Sequence, residues 1–180
     1  MKVLVPIASG CEEMEAVIIV DVLRRADWQV TVAALDQEPV TASRGVKLSA
    51  DCRWDEVDFN DQEALVLPGG LGGTERLCAH EGVQAALRQF VESGRWVGSI
   101  CAAALVLYTA GVLRGKAFAC YPGVEKELPA DVQPVDERVV VDGKLITSQG
   151  PGTAFEFALT WIAVCDSEEK ASEVRRALLL

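Results

Sequence analysis

One histidine, two methionines and no Cys-x-x-Cys pair occur among the 180 residues, and each scarcity narrows the function. His80, between Ala79 and Glu81, reads as a surface loop residue just ahead of a helical pattern. The six cysteines (Cys11, Cys52, Cys78, Cys101, Cys120, Cys165) fall in no metal-ligand spacing, so neither a metal nor a cofactor is expected. Basic residues are also short: 17 Lys and Arg stand against 27 Asp and Glu, a net charge of −10. Such a surface repels phosphate backbones and anionic lipids, which argues against nucleic-acid and membrane partners. No linker composition, repeat or low-complexity segment interrupts residues 1–180, which read as one domain long enough for a sizeable core. The opening Met1–Ile7 is too short for a signal h-region and runs straight into acidic residues. With free thiols, that favours a reducing cytoplasm. Trp96–Leu113 is uncharged and meets the length of a membrane span. Gly98, Ser99 and Gly111 interrupt it, so a buried strand–helix pair is the better reading.

Short apolar runs at Lys2–Ile7, Gln29–Leu35, Ala64–Leu67, Trp96–Ile100 and Lys144–Thr147 read as parallel strands buried on both faces. Helical patterns lie between them at Glu12–Ala26, Val83–Ser93, Ala102–Ala110, Ala154–Val164 and Glu168–Ala177. Thr153 and Glu156 have capping-box spacing, and Asp142-Gly143 is a two-residue hairpin signal after Val139–Val141. The alternation predicts an α/β, doubly wound, mostly parallel sheet with helices on both faces, a three-layer sandwich. Ligands in such folds bind at the carboxyl ends of strands.

Three segments at those ends carry chemistry. Val97-Gly98-Ser99-Ile100-Cys101-Ala102-Ala103 reads as a strand ending on a cysteine in the first turn of a helix. Small neighbours leave the sulfur approachable, and unpaired backbone N–H groups with the helix dipole favour thiolate, predicting a pKa below the free value of about 8.5. A cysteine between small residues is, by itself, more often core packing. Pro68-Gly69-Gly70-Leu71-Gly72-Gly73 reads as a loop whose N–H groups approach a ligand; with Cys101 and Ala102, Gly70 would hold an oxyanion. A plain tight turn is the alternative. In the helix after Cys11, acidic residues open the first turn and Arg24-Arg25 close the last, which accounts for Glu12 and Glu13. Glu15 instead shares an apolar stripe with Ile18, Ile19 and Val22; desolvation there raises its pKa and makes it a general acid/base, unless it points back to solvent. Met14, Val17, Ile18 and Asp21 form a second, largely apolar face, suited to a two-fold contact with a copy of itself.

Together these segments resemble the ThiJ/PfpI superfamily, in the branch of the parkinsonism-associated protein deglycase and bacterial YajL. The resemblance is carried by Glu12-Glu13-Met14-Glu15, Val20-Asp21 with Arg24-Arg25, Ser43-Arg44-Gly45-Val46, Leu67-Pro68-Gly69-Gly70, Ile100-Cys101-Ala102-Ala103, and Thr147–Thr153 followed by Phe155-Glu156-Phe157. It implies a homodimer of flavodoxin-like subunits, a reactive Cys101 hydrogen-bonded to a protonated Glu15, and backbone contacts from Gly69, Gly70 and Ala102. It implies cofactor-independent glyoxalase or deglycase activity on methylglyoxal, glyoxal or early glycation adducts, or oxidation of Cys101 to sulfinate in a stress-sensing chaperone. Tyr121 stands where some members carry a catalytic histidine, leaving Glu15 as the acid/base, and Ala104 replaces a proline common in the branch. A peptidase would need a histidine directly after the cysteine, where this chain has Ala102.

Overall fold

The computed structural model describes residues 1–180. In chain order the elements are β1 (Lys2–Ile7), α1 (Glu13–Arg25), β2 (Gln29–Ala34), β3 (Val40–Thr41), β4 (Lys47–Leu48) and β5 (Cys52–Arg53). Then follow β6 (Ala64–Leu67), α2 (Leu71–Ala79), α3 (Glu81–Glu92), β7 (Trp96–Ile100) and α4 (Ala104–Thr109). The chain closes with β8 (Val139–Asp142), β9 (Leu145–Ser148), α5 (Ala154–Cys165) and α6 (Glu168–Ala177). Seven strands make one sheet in the order β5-β2-β1-β6-β7-β9-β8, parallel except where β8 runs against β9. β3 and β4 form a separate antiparallel pair.

Successive side chains of a strand point to opposite faces, so both faces of these apolar strands must be covered. Val3, Val5 and Ile7 of β1 enter one core with α1, α5 and α6, while Leu4 enters a second core with α2, α3 and α4. Ala64 and Val66 of β6 divide from Leu65 and Leu67 in the same way. This is the doubly wound three-layer sandwich expected from the alternation. α1 follows β1 on one face and α2 follows β6 on the other, so the winding reverses between these neighbouring strands and opens a crevice at their carboxyl ends. No helix is long and apolar enough to cross a membrane, and Trp96–Leu113 is strand, turn and short helix.

Three local readings change. The glycine run is not a loop to Gly73, because α2 begins at Leu71 and contains Gly72 and Gly73. A Cβ on Gly73 would lie 2.7 Å from the Cys11 Cα, so close passage of α2 over the β1–α1 loop, not loop flexibility, requires glycine there. The Thr153–Glu156 capping box does not form: the Thr153 hydroxyl donates to the Gly150 carbonyl at 2.9 Å, and Glu156 pairs with Arg138 at 2.7 Å. The β8–β9 hairpin turns one residue later than expected, at Gly143-Lys144, since Asp142 still pairs with Leu145. Asp142 is instead held by the Ala117 N–H at 2.9 Å and Lys116 at 3.0 Å.

Gly98, taken from sequence as open space around the sulfur, has a different cause. A Cβ there would meet the Trp161 ring at 2.5 Å, so the missing side chain lets α5 press its tryptophan onto the centre of the sheet. Gly98→Ala is expected to destabilise the fold by about 1–3 kcal/mol, the usual cost of overpacking. Urea unfolding of variant and wild type measures it; an unchanged midpoint would contradict the contact.

Candidate active site

β1, β6 and β7 lie side by side, and their carboxyl ends deliver the three segments singled out above. β7 ends at Ile100, and Cys101 takes φ +63°, a left-handed conformation that a side-chain-bearing residue adopts at a cost. A 3-10 turn over Cys101–Ala103 then leads into α4. The Cys101 carbonyl accepts the Tyr121 N–H at 3.3 Å, which helps hold the turn. The Ala102 and Gly70 N–H groups lie close enough to the Cys101 sulfur to favour its charged form.

Glu15 enters from α1 and has no exposed surface. Its Oε2 accepts the Gly69 N–H at 2.7 Å, while Oε1 is buried without a hydrogen-bond partner. This settles the sequence's two readings of Glu15 in favour of the buried one. It also corrects the role expected of Gly69, whose N–H is occupied by the carboxyl and faces no oxyanion. Gly69 must lack a side chain for the same reason: a Cβ would sit 2.7 Å from the Cys101 Cβ and 2.8 Å from the Glu15 Oε2. Gly70, at φ +88°, caps α2 against the β1–α1 loop, where a Cβ would come within 2.4 Å of the Glu12 nitrogen.

Burial pushes Glu15 up to about 7, opposed by the Gly69 N–H and the Cys101 thiol. Burial, and then the charge of Glu15 beside it, pushes the Cys101 thiol up to about 12, with the Ala102 and Gly70 N–H groups working against the rise. This reverses the low pKa expected from sequence, where the helix start was weighed without desolvation. Carboxyl and thiol act as one titrating pair that carries a single negative charge over a wide range above neutrality. A carboxylate at Glu15 stands beside a thiol whose proton it can accept.

Cys101, with Glu15 buried behind it, opens into a cavity of about 480 Å³ whose walls include Glu12, Arg44, Leu71, Tyr121 and Pro151. Arg44 was named from sequence only as part of a motif, and its placement explains Glu13. Glu13 is 7 % exposed, and its Oε1 accepts the Arg44 N–H at 2.8 Å. The Ser43 hydroxyl lies 2.8 Å from Glu13 and 2.9 Å from Glu12, its one proton serving either carboxylate. Burial opposes charge on Glu13, but hydrogen bonds from its own backbone, Ser43, Arg44 and Val46 outweigh it and hold the group below its ordinary 4.5. Glu13 is thus a fixed anion docking the β3–β4 turn beside the cavity, more than a dipole-compensating surface residue. These contacts join positions about 30 apart in sequence, and no periodicity marks Ser43 or Arg44.

No imidazole reaches the site. His80 is the N-cap of α3, its Nδ1 accepting the Val83 N–H at 3.2 Å, and Tyr121 occupies the cavity wall against Gly150. Cys11, also near a helix start, has no exposed surface and is pushed up to about 11 by burial and then by Glu13. Cys101, half-buried, is the cysteine that lines the cavity. Met14 and Val17 are 55 % and 50 % exposed, Asp21 is exposed and Ile18 half-buried, so the second face of α1 is uncovered within the chain.

Between 4.5 and about 7 the folded chain keeps the Glu15 proton that the unfolded chain has released. Stability therefore falls as pH rises through that window. The expected loss between pH 4.5 and pH 8 is on the order of a few kcal/mol, and Glu15→Gln should remove it. Urea unfolding across this range, variant against wild type, provides the check; parallel curves would show that Glu15 is not the group responsible.

A model of the DJ-1/PfpI family matches residues 1–164. "Protein DJ-1 homolog B" of Arabidopsis thaliana is 46% identical over 181 residues, which take in 99% of this chain and 41% of that protein, so the chain spans less than half of that relative. "Glutathione-independent glyoxalase DJR-1.2" of Caenorhabditis elegans is 32% identical over 169 residues, covering 94% of this chain and 90% of the relative. The crystal structure of Drosophila melanogaster DJ-1beta matches with a TM-score of 0.95 at 42% identity, over 99% of this chain and 97% of that one. With a family model over most of its length and relatives of this identity, the chain belongs to the DJ-1/PfpI family.

Proposed function

We propose that the chain is a cofactor-independent enzyme acting on small reactive dicarbonyls or their early adducts, with Cys101 as nucleophile and Glu15 as acid/base. The observation that carries this reading is a wholly buried carboxyl, raised to about 7, beside a thiol on an open cavity. A relative in the same family bears the name of a glutathione-independent glyoxalase.

With methylglyoxal, the Cys101 sulfur adds to the aldehyde carbon while Glu15 accepts the thiol proton and passes it to the former carbonyl oxygen, giving a hemithioacetal and a carboxylate free to act again. Glu15 then moves a proton from that carbon to its neighbour through an enediol, leaving a thioester, and water releases the hydroxy acid and the thiol. The net change is addition of one water to the dicarbonyl. The Gly70 and Ala102 N–H groups supply donors beside the sulfur, where charge develops on the substrate oxygen. Removing an early adduct begins with the same attack at the carbonyl-derived carbon. The same donors, with Arg44 in the cavity wall, also favour a second reading, in which peroxide takes Cys101 to sulfinate and the site holds the new anion. We propose further that the chain is a homodimer joined through the exposed face of α1, Met14, Val17, Ile18 and Asp21.

Two outcomes follow. Methylglyoxal should be converted without added glutathione; Cys101→Ser should abolish conversion and Glu15→Gln lower kcat/KM by about 10²–10⁴, the range for a lost acid/base. Full turnover by Cys101→Ser overturns the enzyme reading, and absent wild-type turnover with peroxide-dependent addition of two oxygens to Cys101 favours the second. In sedimentation velocity the wild type should run as a dimer at micromolar concentration and Val17→Glu as a monomer. A monomeric wild type would refute the assembly.

A further inference from the structure

A second depression, of about 560 Å³, adjoins the Cys101 cavity on the face covered by α2 and α4, and Leu71 belongs to the walls of both. Its apolar walls are Leu71, Leu105 and Tyr108, and its acidic members are Glu75 and Glu127. Both carboxylates are exposed and neither takes part in an ion pair. Arg76, next to Glu75 on α2, is engaged elsewhere, with Asp36 at 3.3 Å and the Gly72 carbonyl at 3.0 Å. Burial first, and then the charges of Glu127 and Glu75, push the Cys78 thiol in this groove upward, so both carboxylates project their field into it. Thr74, also in the wall, is 2 % exposed and its hydroxyl has no partner, a polar group left unsatisfied by the chain itself.

Apolar walls and two unpaired carboxylates describe the complement of an aliphatic stem ending in a cation. We infer that this groove binds a lysine or arginine side chain of the substrate, placed there while a carbonyl-derived carbon on the same molecule meets Cys101. The methylene stem packs against Leu71, Leu105 and Tyr108, as long cationic side chains do on apolar surfaces, and its charged end lies near Glu75 and Glu127. A free dicarbonyl is too short to use the groove. The inference thus deepens the proposed function, on which it rests, by selecting adducts carried on basic peptides.

Cys78, half-buried in the groove and receiving the Thr109 hydroxyl at 3.7 Å, reports occupancy without any turnover. In the Cys101→Ser protein, n-pentylguanidinium should slow iodoacetamide labelling of Cys78 about three- to tenfold, the scale of two exposed charge contacts. n-Pentanol and pentanoate should protect less, and the Glu75→Gln/Glu127→Gln double variant should lose the guanidinium's advantage. Equal protection by pentanol, or none by pentylguanidinium, overturns the groove. In the otherwise wild-type protein, kcat/KM for the methylglyoxal adduct of a lysine-rich peptide should exceed that of an acidic one, and the double variant should bring the ratio toward one. A ratio of one without the substitutions overturns the assignment to substrate. If no dicarbonyl is turned over at all, the proposed chemistry fails, while the Cys78 measurement still decides the groove.

Discussion

A carboxyl group carried into the protein interior with only one backbone N–H to meet it is the constraint from which the rest of the site follows. Glu15 is fully buried, holds the Gly69 N–H at 2.7 Å and has a second oxygen without a partner. In low dielectric the charged form is disfavoured, so the group keeps its proton to about neutrality. Holding the carboxyl there requires α1 to start hard against the end of β6, and the Glu12 N–H donates to the Gly69 carbonyl at 2.8 Å to fasten that approach. Side chains at Gly69, Gly70 or Gly73 would collide with the β1–α1 segment or with Cys101 and Glu15. The glycine run is therefore a consequence of how closely two loops must pass.

Cys101 supplies the complementary feature. Its left-handed backbone turns the sulfur toward the Gly70 and Ala102 N–H groups at the end of a strand buried on both faces. That strand is anchored by Trp161 packed over Gly98 and by pairing with β6 and β9. A strained residue persists where its surroundings over-determine it, and here a parallel sheet on one side and the Tyr121 hydrogen bond on the other do so. The thiol is not activated in advance, because burial and the neighbouring carboxyl both oppose a resting thiolate.

Much of this was readable from residue order alone. Continuous apolar runs marked the parallel strands, 3.6-residue spacing marked α1, α3, α5 and α6, and the stripe of Glu15 with Ile18, Ile19 and Val22 placed a carboxyl on a core-facing side. What was misread shares one cause. Pro68–Gly73 reads from sequence as loop because its glycines are poor helix formers, yet tertiary packing of the first turn of α2 against the Cys11 segment overrides local propensity. The Cys101 pKa was expected low because the helix start is visible in sequence and the desolvation around it is not. Glu13 reads from sequence only as compensation of the helix dipole, and Ser43 and Arg44 only as part of a motif, because their contacts join α1 to a turn about 30 positions away.

The sequence by itself determined the layered α/β architecture and the family, and it put Cys101 at a strand end and Glu15 on a core-facing stripe, since periodicity and strand-end position are properties of local order. Only the tertiary structure decided how protons are shared between Cys101 and Glu15, which amide serves the carboxyl and which serve the sulfur, and that Arg44 borders the cavity. Those properties depend on distances and dielectric between segments remote in the chain. They come into being when β1, β6 and β7 lie side by side and water is excluded between them.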